Sequence, residues 1–281
     1  MPSPRILVTG ATGLLGPYLL DAASERGKAI GLARSGADVA CDLADADAVR
    51  DALAAAAPNI VIHAAAYTDV DGCERDPVRA ADANHRAVAN LVAALPADCH
   101  LIHISTDQVY SDSPGPHAEG RERPVNAYGR SKLAGEGAAR RHTRSTILRT
   151  NLFGPGRPPD RRSLSDFIAD SLAAGKAITL FTDVYFSPLH MVTLSGLSME
   201  MATRGLAGTF NAGSRAGMSK RDFGHAVARH LGLSTATAKD GVSAAIPGRA
   251  PRPRDLRLDV QRIEQALGRA MPTCDEEIRR L

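Results

Sequence analysis

Three glycines at intervals of three, Gly10, Gly13 and Gly16, constrain the fold of this chain more than any other feature. They follow an apolar run from Arg5 to Val8 that is typical of a buried strand, and they open an amphipathic stretch from Leu14 to Glu25 that is typical of a helix. A bare backbone at such a turn lets a pyrophosphate approach the helix N-terminus, where free N–H groups and the helix dipole favour negative charge. The pattern therefore predicts a dinucleotide-binding turn. We expect its contacts from Gly10, Thr12, Gly13, Leu14, Leu15 and Gly16.

Segments typical of strands and helices alternate after this turn. Strands are predicted at 28–33, 59–63, 100–105 and 146–149, and helices at 45–56, 76–95 and 127–141. This alternation predicts an α/β fold, a doubly wound parallel sheet of the Rossmann type that binds ligands at the carboxyl ends of its strands.

The alternation breaks after Thr150. We therefore predict a dinucleotide-binding domain at 1–150 and, mainly, a smaller, partly helical substrate-binding lobe at 151–281. Helices are expected near 163–174, 190–203, 219–231 and 259–267, and some of the later segments are expected to return to the main sheet.

Tyr128 and Lys132 lie four residues apart on a predicted helix, which places both side chains on one face. An ammonium beside a phenol is expected to lower the pKa of the phenol from about 10 towards neutrality. This spacing arises by chance in roughly one such chain in eleven, so alone it is weak evidence of function. With the glycine-rich turn in the same chain, it predicts that Tyr128 is a proton donor in a nucleotide-dependent reaction.

A hydroxyl group stands at the end of the predicted strand just before that helix. Ser105 and Thr106 are both chemically able to hydrogen-bond the carbonyl group that Tyr128 would protonate. The residues alone leave the choice between them open.

The end of the second predicted strand bears on the choice of cofactor. Arg34 stands where an acidic residue commonly binds the ribose 2′-hydroxyl of NAD, and an arginine there suits a 2′-phosphate. We therefore expect NADPH, with NADH as the alternative. Asp42 and Leu43 are expected beside the adenine, and Ala64, Ala65 and Ala66 are expected to let the cofactor lie close to the backbone.

Composition excludes several classes of function. A net charge of +3 is too small to indicate nucleic-acid binding. Four scattered cysteines indicate neither a zinc site nor a disulfide framework. The chain runs from its first residues directly into a strand, and no apolar stretch approaches the ~20 residues of a membrane span, so we expect a cytoplasmic protein without membrane contact. The oligomeric state stays open, a homodimer included.

Six motifs spread nearly end to end then identify a family. They are Thr9–Gly16, His63–Asp71, Ser105–Tyr110, Pro124–Glu136, Ile147–Thr150 and Arg252–Asp259. Together they resemble the extended short-chain dehydrogenase/reductase superfamily and, within it, the dTDP-4-dehydrorhamnose reductase family of deoxysugar biosynthesis. The resemblance implies an oxidoreductase that passes hydride from NADPH to C4 of a nucleotide-linked 4-keto-6-deoxy sugar. It also implies that Thr106 is the catalytic hydroxyl, Tyr128 the acid, and Lys132 the residue that holds the nicotinamide ribose.

Further residues are expected to contact the nucleotide sugar. Arg252 suits a diphosphate because a guanidinium pairs with phosphate through two parallel hydrogen bonds. The full predicted substrate set is Ser105, Thr106, Asp107, Tyr128, Asn151 and Arg252.

Three departures from the family pattern narrow the expectation. Gln108 replaces the glutamate with which related dehydratases abstract a proton, so a dehydratase is not expected. Reductases of the family often have a tryptophan near the sugar just beyond the Leu-Arg-Thr stretch, whereas this chain has Asn151, Leu152 and Phe153 there and no tryptophan at all, which leaves the identity of the sugar open. Tyr18 replaces a glutamate that binds magnesium in some members, so no metal site is expected.

Two alternatives remain beside the reductase. The regulatory subunit of methionine adenosyltransferase shares this architecture and the Tyr-x-x-x-Lys pattern without being an enzyme. A nucleotide-sugar epimerase would retain tightly bound NAD⁺ and would need no added reductant.

Overall fold

The computed structural model describes residues 3–243 and 248–281. Its strands are β1 (Arg5–Thr9), β2 (Lys28–Ala33), β3 (Val39–Ala40), β4 (Ile60–His63), β5 (His100–Thr106), β6 (Ser145–Thr150), β7 (Leu152–Phe153), β8 (Ile178–Phe181), β9 (Tyr185–Phe186), β10 (Leu189–His190), β11 (Gly208–Asn211), β12 (Met218–Ser219), β13 (Ala238–Gly241) and β14 (Asp255–Leu256). Its α-helices are α1 (Gly16–Ser24), α2 (Ala46–Ala56), α3 (Val70–Arg75), α4 (Pro77–Ala81), α5 (Ala87–Ala94), α6 (Ala127–Ala139), α7 (Leu164–Ala173), α8 (Met191–Thr203), α9 (Lys220–His230), α10 (Gln261–Leu267) and α11 (Cys274–Ile278).

Seven parallel strands form the central sheet in the order β11-β6-β5-β4-β1-β2-β3. Every residue of β4 and β5 is buried, as expected for strands covered by helices on both faces. One apolar cluster includes residues of α1, α8 and α10, and a second includes residues of α2, α5 and α6. The predicted doubly wound parallel fold is therefore confirmed.

The later part of the chain contributes both to this sheet and to a core of its own. Strand β11 extends the sheet beside β6, and α8 and α10 pack on one face of it. A separate apolar cluster is built around Phe153, Phe186 and Phe223, next to the short pairings of β8 with β13 and of β9 with β12 and β14. Segments beyond Thr150 thus do return to the main sheet, while the domain boundary at 150 stays a prediction.

The helix expected at 76–95 differs from the prediction in its middle. It consists of α4, a π-helical turn at Asp82–Arg86, and α5. Within that turn Asn84 donates from Nδ2 to the Ser131 hydroxyl of α6 and to the Tyr67 carbonyl, both at 3.0 Å. The wider turn thereby joins this helix to the segment that carries Tyr128, and π-helical turns often mark functional regions.

No helix among the described residues is long and apolar enough to cross a membrane.

Candidate active site

The turn between β1 and α1 has the geometry that a dinucleotide requires. Gly10 has a positive φ of 74°, and a Cβ atom there would lie 2.7 Å from the Ala65 backbone nitrogen. A Cβ at Gly16 would overlap the carbonyl oxygens of Gly10 and Ala11. No side chain caps the first turn of α1, in which Pro17 has no N–H and the Tyr18 and Leu19 nitrogens donate to the Leu15 carbonyl, so an anion would approach the backbone that precedes Pro17. The turn therefore fits a bound pyrophosphate.

The other predicted cofactor residues lie at the same edge of the sheet. Arg34 is exposed directly after β2, and Ala64–Ala66 follow β4 beside Gly10. Leu43 is buried, and its carbonyl accepts a hydrogen bond of 2.9 Å from Asn90. The carboxyl ends of neighbouring parallel strands thus bring together segments that are distant in sequence.

The predicted catalytic residues meet at the end of β5. Thr106 ends that strand, and Tyr128 and Lys132 project from the first turns of α6. Helix α6 approaches the chain after β5 so closely that a Cβ at Gly129 would overlap the Gln108 carbonyl oxygen. The Thr106 hydroxyl lies beside the Tyr128 phenol, and the Lys132 ammonium donates to the Ile104 carbonyl at 2.7 Å.

The expected lowering of the Tyr128 pKa is wrong for this structure. Burial raises the pKa of Tyr128 above its ordinary value, and the neighbouring Thr106 hydroxyl opposes this only in part. The reason is that Tyr128 is 8% exposed, while the Lys132 ammonium is bonded to a carbonyl group. Burial also lowers the pKa of Lys132 to about 8. Tyr128 is therefore held in its protonated form, which is the form that an acid needs.

Asp107 adds a buried carboxyl group to the site. It is 1% exposed, and it accepts hydrogen bonds from Asn151 Nδ2 at 2.8 Å and from Thr106 Oγ1 at 3.2 Å. Burial raises its pKa to about 6, although these hydrogen bonds act in the opposite direction. The structure thus brings three of the predicted substrate residues, Thr106, Asp107 and Asn151, into one hydrogen-bonded group.

Ser105 is not part of that group. Its hydroxyl donates to Glu136 Oε1 at 2.6 Å, and Glu136 in turn accepts two hydrogen bonds from Arg149, at 2.9 and 2.6 Å. Successive side chains on a strand point to opposite faces, so only one of the two neighbouring hydroxyls can face Tyr128. The geometry favours Thr106 for that position.

Arg252 forms an ion pair within the protein. Its guanidinium donates to both carboxylate oxygens of Asp71 in α3, each at 2.9 Å. This hydrogen bonding, with a further bond from the Ala250 backbone nitrogen, lowers the pKa of Asp71 to about 2. Arg252 therefore joins the segment before β14 to α3, and its guanidinium is already hydrogen-bonded to the Asp71 carboxylate.

Sequence reasoning missed two residues of the site. Asn126 caps α6 by accepting from the Gly129 backbone nitrogen at 2.8 Å, and its Nδ2 donates to Gln108 Oε1 at 3.0 Å and to the Pro251 carbonyl at 2.8 Å. An asparagine directly before a predicted helix is a recognisable cap signal. Lys220 has no such local signal, because it lies at the start of α9, and the Asp107 carboxylate, which opposes the lowering of the Lys220 pKa by burial, is distant in sequence.

Comparisons with known proteins identify the family of this chain. The family model described as "RmlD substrate binding domain" matches residues 4–281. A probable low-salt glycan biosynthesis reductase of Haloferax volcanii is 33% identical, covering 96% of this chain and 95% of the relative. A dTDP-4-dehydrorhamnose reductase of Mycolicibacterium smegmatis is 36% identical over 93% of this chain and 80% of the relative.

Two further similarities concern the alternatives and the fold. The beta subunit of methionine adenosyltransferase 2 from Danio rerio is 29% identical over 94% of this chain and 85% of its own length. A Bacillus anthracis dTDP-4-dehydrorhamnose reductase, solved in complex with NADP, has a TM-score of 0.90 at 24% identity, with 100% of this chain and 98% of that chain covered.

The family match and the relatives above 30% identity cover nearly the whole chain and confirm the resemblance seen in the sequence. The chain belongs to the RmlD substrate binding domain family.

Proposed function

We propose that this protein reduces the C4 keto group of a nucleotide-linked 4-keto-6-deoxy sugar with NADPH, as dTDP-4-dehydrorhamnose reductases do. One observation carries the proposal: Thr106, Tyr128 and Lys132 meet at the end of β5, on the edge of the sheet that holds the Gly10 turn. The relatives at 33% and 36% identity are named as reductases, which supports an enzyme over a regulatory subunit.

The cofactor would be held by the Gly10–Gly16 turn, by Arg34 at the adenosine ribose and by Lys132 at the nicotinamide ribose. When bound, the reduced nicotinamide supplies the hydride that converts the C4 carbonyl group into an alcohol. The crowding of Gly10 against Ala65 supports this placement, because the loop is bare where a diphosphate must approach.

The residues of the chain supply binding, orientation and the proton. Thr106 and Tyr128 donate hydrogen bonds to the carbonyl oxygen and stabilise the negative charge that grows on it. Tyr128 then transfers its proton to that oxygen, and the raised pKa of the phenol keeps this proton in place until it is needed. Lys132 stabilises the resulting phenolate, and its pKa near 8 leaves it mostly charged at neutral pH.

Replacing Tyr128 by phenylalanine tests this assignment. The assay contains purified protein, NADPH and freshly made dTDP-4-keto-6-deoxy sugar, and the absorbance of the reduced nicotinamide should fall as NADPH is oxidised. The rate of this fall is compared with and without a 3,5-epimerase. In Tyr128→Phe we expect kcat to fall by about 10²-fold or more while KM changes little, because the lost interaction acts mainly in the transition state.

Tyr18→Phe provides a matched control, because the Tyr18 hydroxyl donates to the Pro155 carbonyl at 2.7 Å, outside the proposed site. An unchanged kcat in Tyr128→Phe would show that the proton donor is misassigned. No oxidation of NADPH or NADH by the wild type with any nucleotide sugar, together with tight binding to a partner enzyme, would favour the regulatory subunit. Tightly bound NAD⁺ and turnover without added reductant would favour an epimerase.

A further inference from the structure

Glu136 is a fully buried carboxylate that lies one helical turn beyond Lys132 on α6. Residues four apart share one face of a helix, and here that face meets the end of β5. The Lys132 ammonium donates to the Ile104 carbonyl at 2.7 Å, and the Ser105 hydroxyl donates to Glu136 Oε1 at 2.6 Å. Two consecutive turns of α6 are thus hydrogen-bonded to two consecutive residues of the strand that ends at Thr106.

Arg149 of β6 holds the other side of this carboxylate. Its guanidinium is fully buried and donates from Nε to Glu136 Oε1 at 2.9 Å and from Nη2 to Oε2 at 2.6 Å. Its Nη1 donates to the Tyr110 hydroxyl at 2.9 Å, and that hydroxyl donates to Asn211 Oδ1 at 2.7 Å. The carboxylate therefore belongs to a buried network that joins α6 to β5, β6 and β11.

Such a network determines position more than it adds stability. A buried ion pair often stabilises a fold no more than apolar residues of the same volume would, because both charges lose their water. Its hydrogen bonds are directional, however, so they fix one arrangement of the groups that they join. Ser105 directly precedes Thr106, and Tyr128 is on the same helix as Glu136. A shift of α6 along β5 would therefore break the Glu136 hydrogen bonds and also separate Tyr128 from Thr106.

The charge of Glu136 also acts on Lys132. Burial lowers the pKa of Lys132, and the Glu136 carboxylate opposes this effect. His63 of β4 and His103 of β5 interact electrostatically with the same ammonium, and burial lowers the pKa of both rings, to about 3 for His63. Because both rings are uncharged at neutral pH, the negative charge of Glu136 is the one that helps Lys132 to keep its proton.

We propose that Glu136 is a positioning residue for the proposed reaction, because its hydrogen bonds with Ser105 and Arg149 fix α6 against the end of β5. Through this contact it sets where Tyr128 and Lys132 stand in the site. The role in catalysis rests on the proposed function, whereas the contacts themselves do not. Two effects of the side chain are separable, since its length places the helix and its charge acts on the Lys132 ammonium.

The first test is Glu136→Gln, which keeps the size of the side chain and removes its charge, while Glu122 still pairs with Arg149. The kcat for the 4-keto sugar and the Kd of NADPH are measured over a pH series centred on the Lys132 pKa of about 8. We expect kcat to fall by about 10-fold or more. The alkaline limb of both profiles should move to lower pH, because Lys132 then loses its proton more readily.

Two further variants separate position from charge. Glu136→Asp keeps the charge but is one methylene too short to hold both partners, so kcat should fall while the alkaline limb stays in place. Ser105→Ala removes one hydrogen bond and no charge, and it should lower kcat by about 3- to 10-fold, again without moving the limb. Since Ser105→Ala leaves every ion pair intact, it tests the contact between α6 and β5 even if Glu136→Gln does not fold.

Glu25→Gln is the matched control, because Glu25 is an exposed glutamate at the end of α1, and it should change neither profile. Thermal unfolding establishes that each variant is folded. A lower melting temperature of Glu136→Gln with an unmoved alkaline limb would assign Glu136 a purely structural role and overturn the proposal, as would a fully active Ser105→Ala. If the wild type turns over no nucleotide sugar but the pH dependence of NADPH binding still moves in Glu136→Gln, the reductase function fails and the action of Glu136 on Lys132 stands.

Discussion

Three ionisable side chains, Asp107, Tyr128 and Lys132, are each less than a tenth exposed at the carboxyl end of β5. Burial favours the uncharged form of each, so the pKa values of the two acids rise and that of the ammonium falls. This shared environment keeps a proton on Tyr128 and lets the charge of Asp107 respond to pH near neutrality. The proposed site should therefore depend on pH through Asp107 as well as through Tyr128 and Lys132.

The free energy of unfolding should change with pH as Asp107 ionises. Its pKa is about 6 in the folded protein against an ordinary 3.8, so its contribution is fully present below pH 3.8 and is lost as pH rises through 6. Replacing it by asparagine removes this loss, so the stability of Asp107→Asn relative to the wild type should rise by about 1.4 kcal/mol from pH 5 to pH 8. Urea unfolding at both pH values measures the change, with the exposed Asp51→Asn as the control. A difference that does not vary with pH would contradict the assignment.

Cofactor preference should depend on Arg34. If its guanidinium pairs with the 2′-phosphate, Arg34→Ala should lower kcat/KM for NADPH by about 10- to 100-fold and leave the value for NADH nearly unchanged. Arg26→Ala, at an exposed position beyond the end of α1, should alter neither value. Equal losses with both cofactors in Arg34→Ala would exclude a role in choosing between them.

At the scale of elements, α6 is the helix that carries Tyr128 and Lys132 of the proposed site. Its glycines make close approaches that the sequence pattern does not reveal, because a glycine inside a helix usually indicates only lower helix propensity. Gly135 lies where a Cβ would overlap the Asn84 carbonyl oxygen of the π-helical turn, whereas Gly137 has no neighbouring atom within 4 Å. Two glycines on one helix thus have different roles, and only the packing distinguishes them.

These two positions form a matched pair of variants. Gly135→Ala should lower the free energy of unfolding by about 2 kcal/mol or more, because α6 must move away from Asn84, and it should lower kcat as Tyr128 moves with the helix. Gly137→Ala should raise the free energy of unfolding by about 0.5–1 kcal/mol through helix propensity, with activity unchanged. Urea unfolding and the NADPH assay check both. A stable and fully active Gly135→Ala protein would contradict the close packing.

The sequence predicts most helices and strands that have a regular pattern of apolar residues, and it misses those that have no such pattern. Strand β2 and helix α2 lie within one residue of their predicted bounds, since both have regular apolar patterns. Helices α3 and α11 have six and five residues, too few for such a pattern. The π-helical turn was missed because its extra residue per turn follows from contacts with α6 and Tyr67 rather than from local preference.

At the scale of the whole molecule, two contacts join α3 and α6 to the chain just before β14. Arg252 pairs with Asp71 through two hydrogen bonds, and Asn126 donates to the Pro251 carbonyl. The same segment therefore contacts both α3 and α6, the helix that carries Tyr128. We expect this connection to fix the position of α6 relative to the segment just before β14.

A double-mutant cycle tests that connection. Arg252→Lys keeps the positive charge but cannot donate two parallel hydrogen bonds to the carboxylate. Asp71→Asn keeps the shape of the side chain but removes its negative charge. Each single change should lower the free energy of unfolding and raise KM for the nucleotide sugar, and the two should be non-additive by about 1–2 kcal/mol because the pair is partly buried. Urea unfolding and steady-state kinetics give the coupling. Additive effects would show that the two side chains act separately.

The sequence by itself determined the parallel sheet, the dinucleotide turn and the Tyr128–Lys132 pair. Those features are local, because backbone freedom at glycine, apolar periodicity and helical spacing each act within a few residues. Only the tertiary structure decided that Thr106 rather than Ser105 lies beside Tyr128 and that Arg252 is paired with Asp71. The physical reason is that side-chain pairing and burial depend on which distant segments meet in the fold. Burial also raises the pKa of Tyr128, whereas the nearby Lys132 alone would predict that it is lowered.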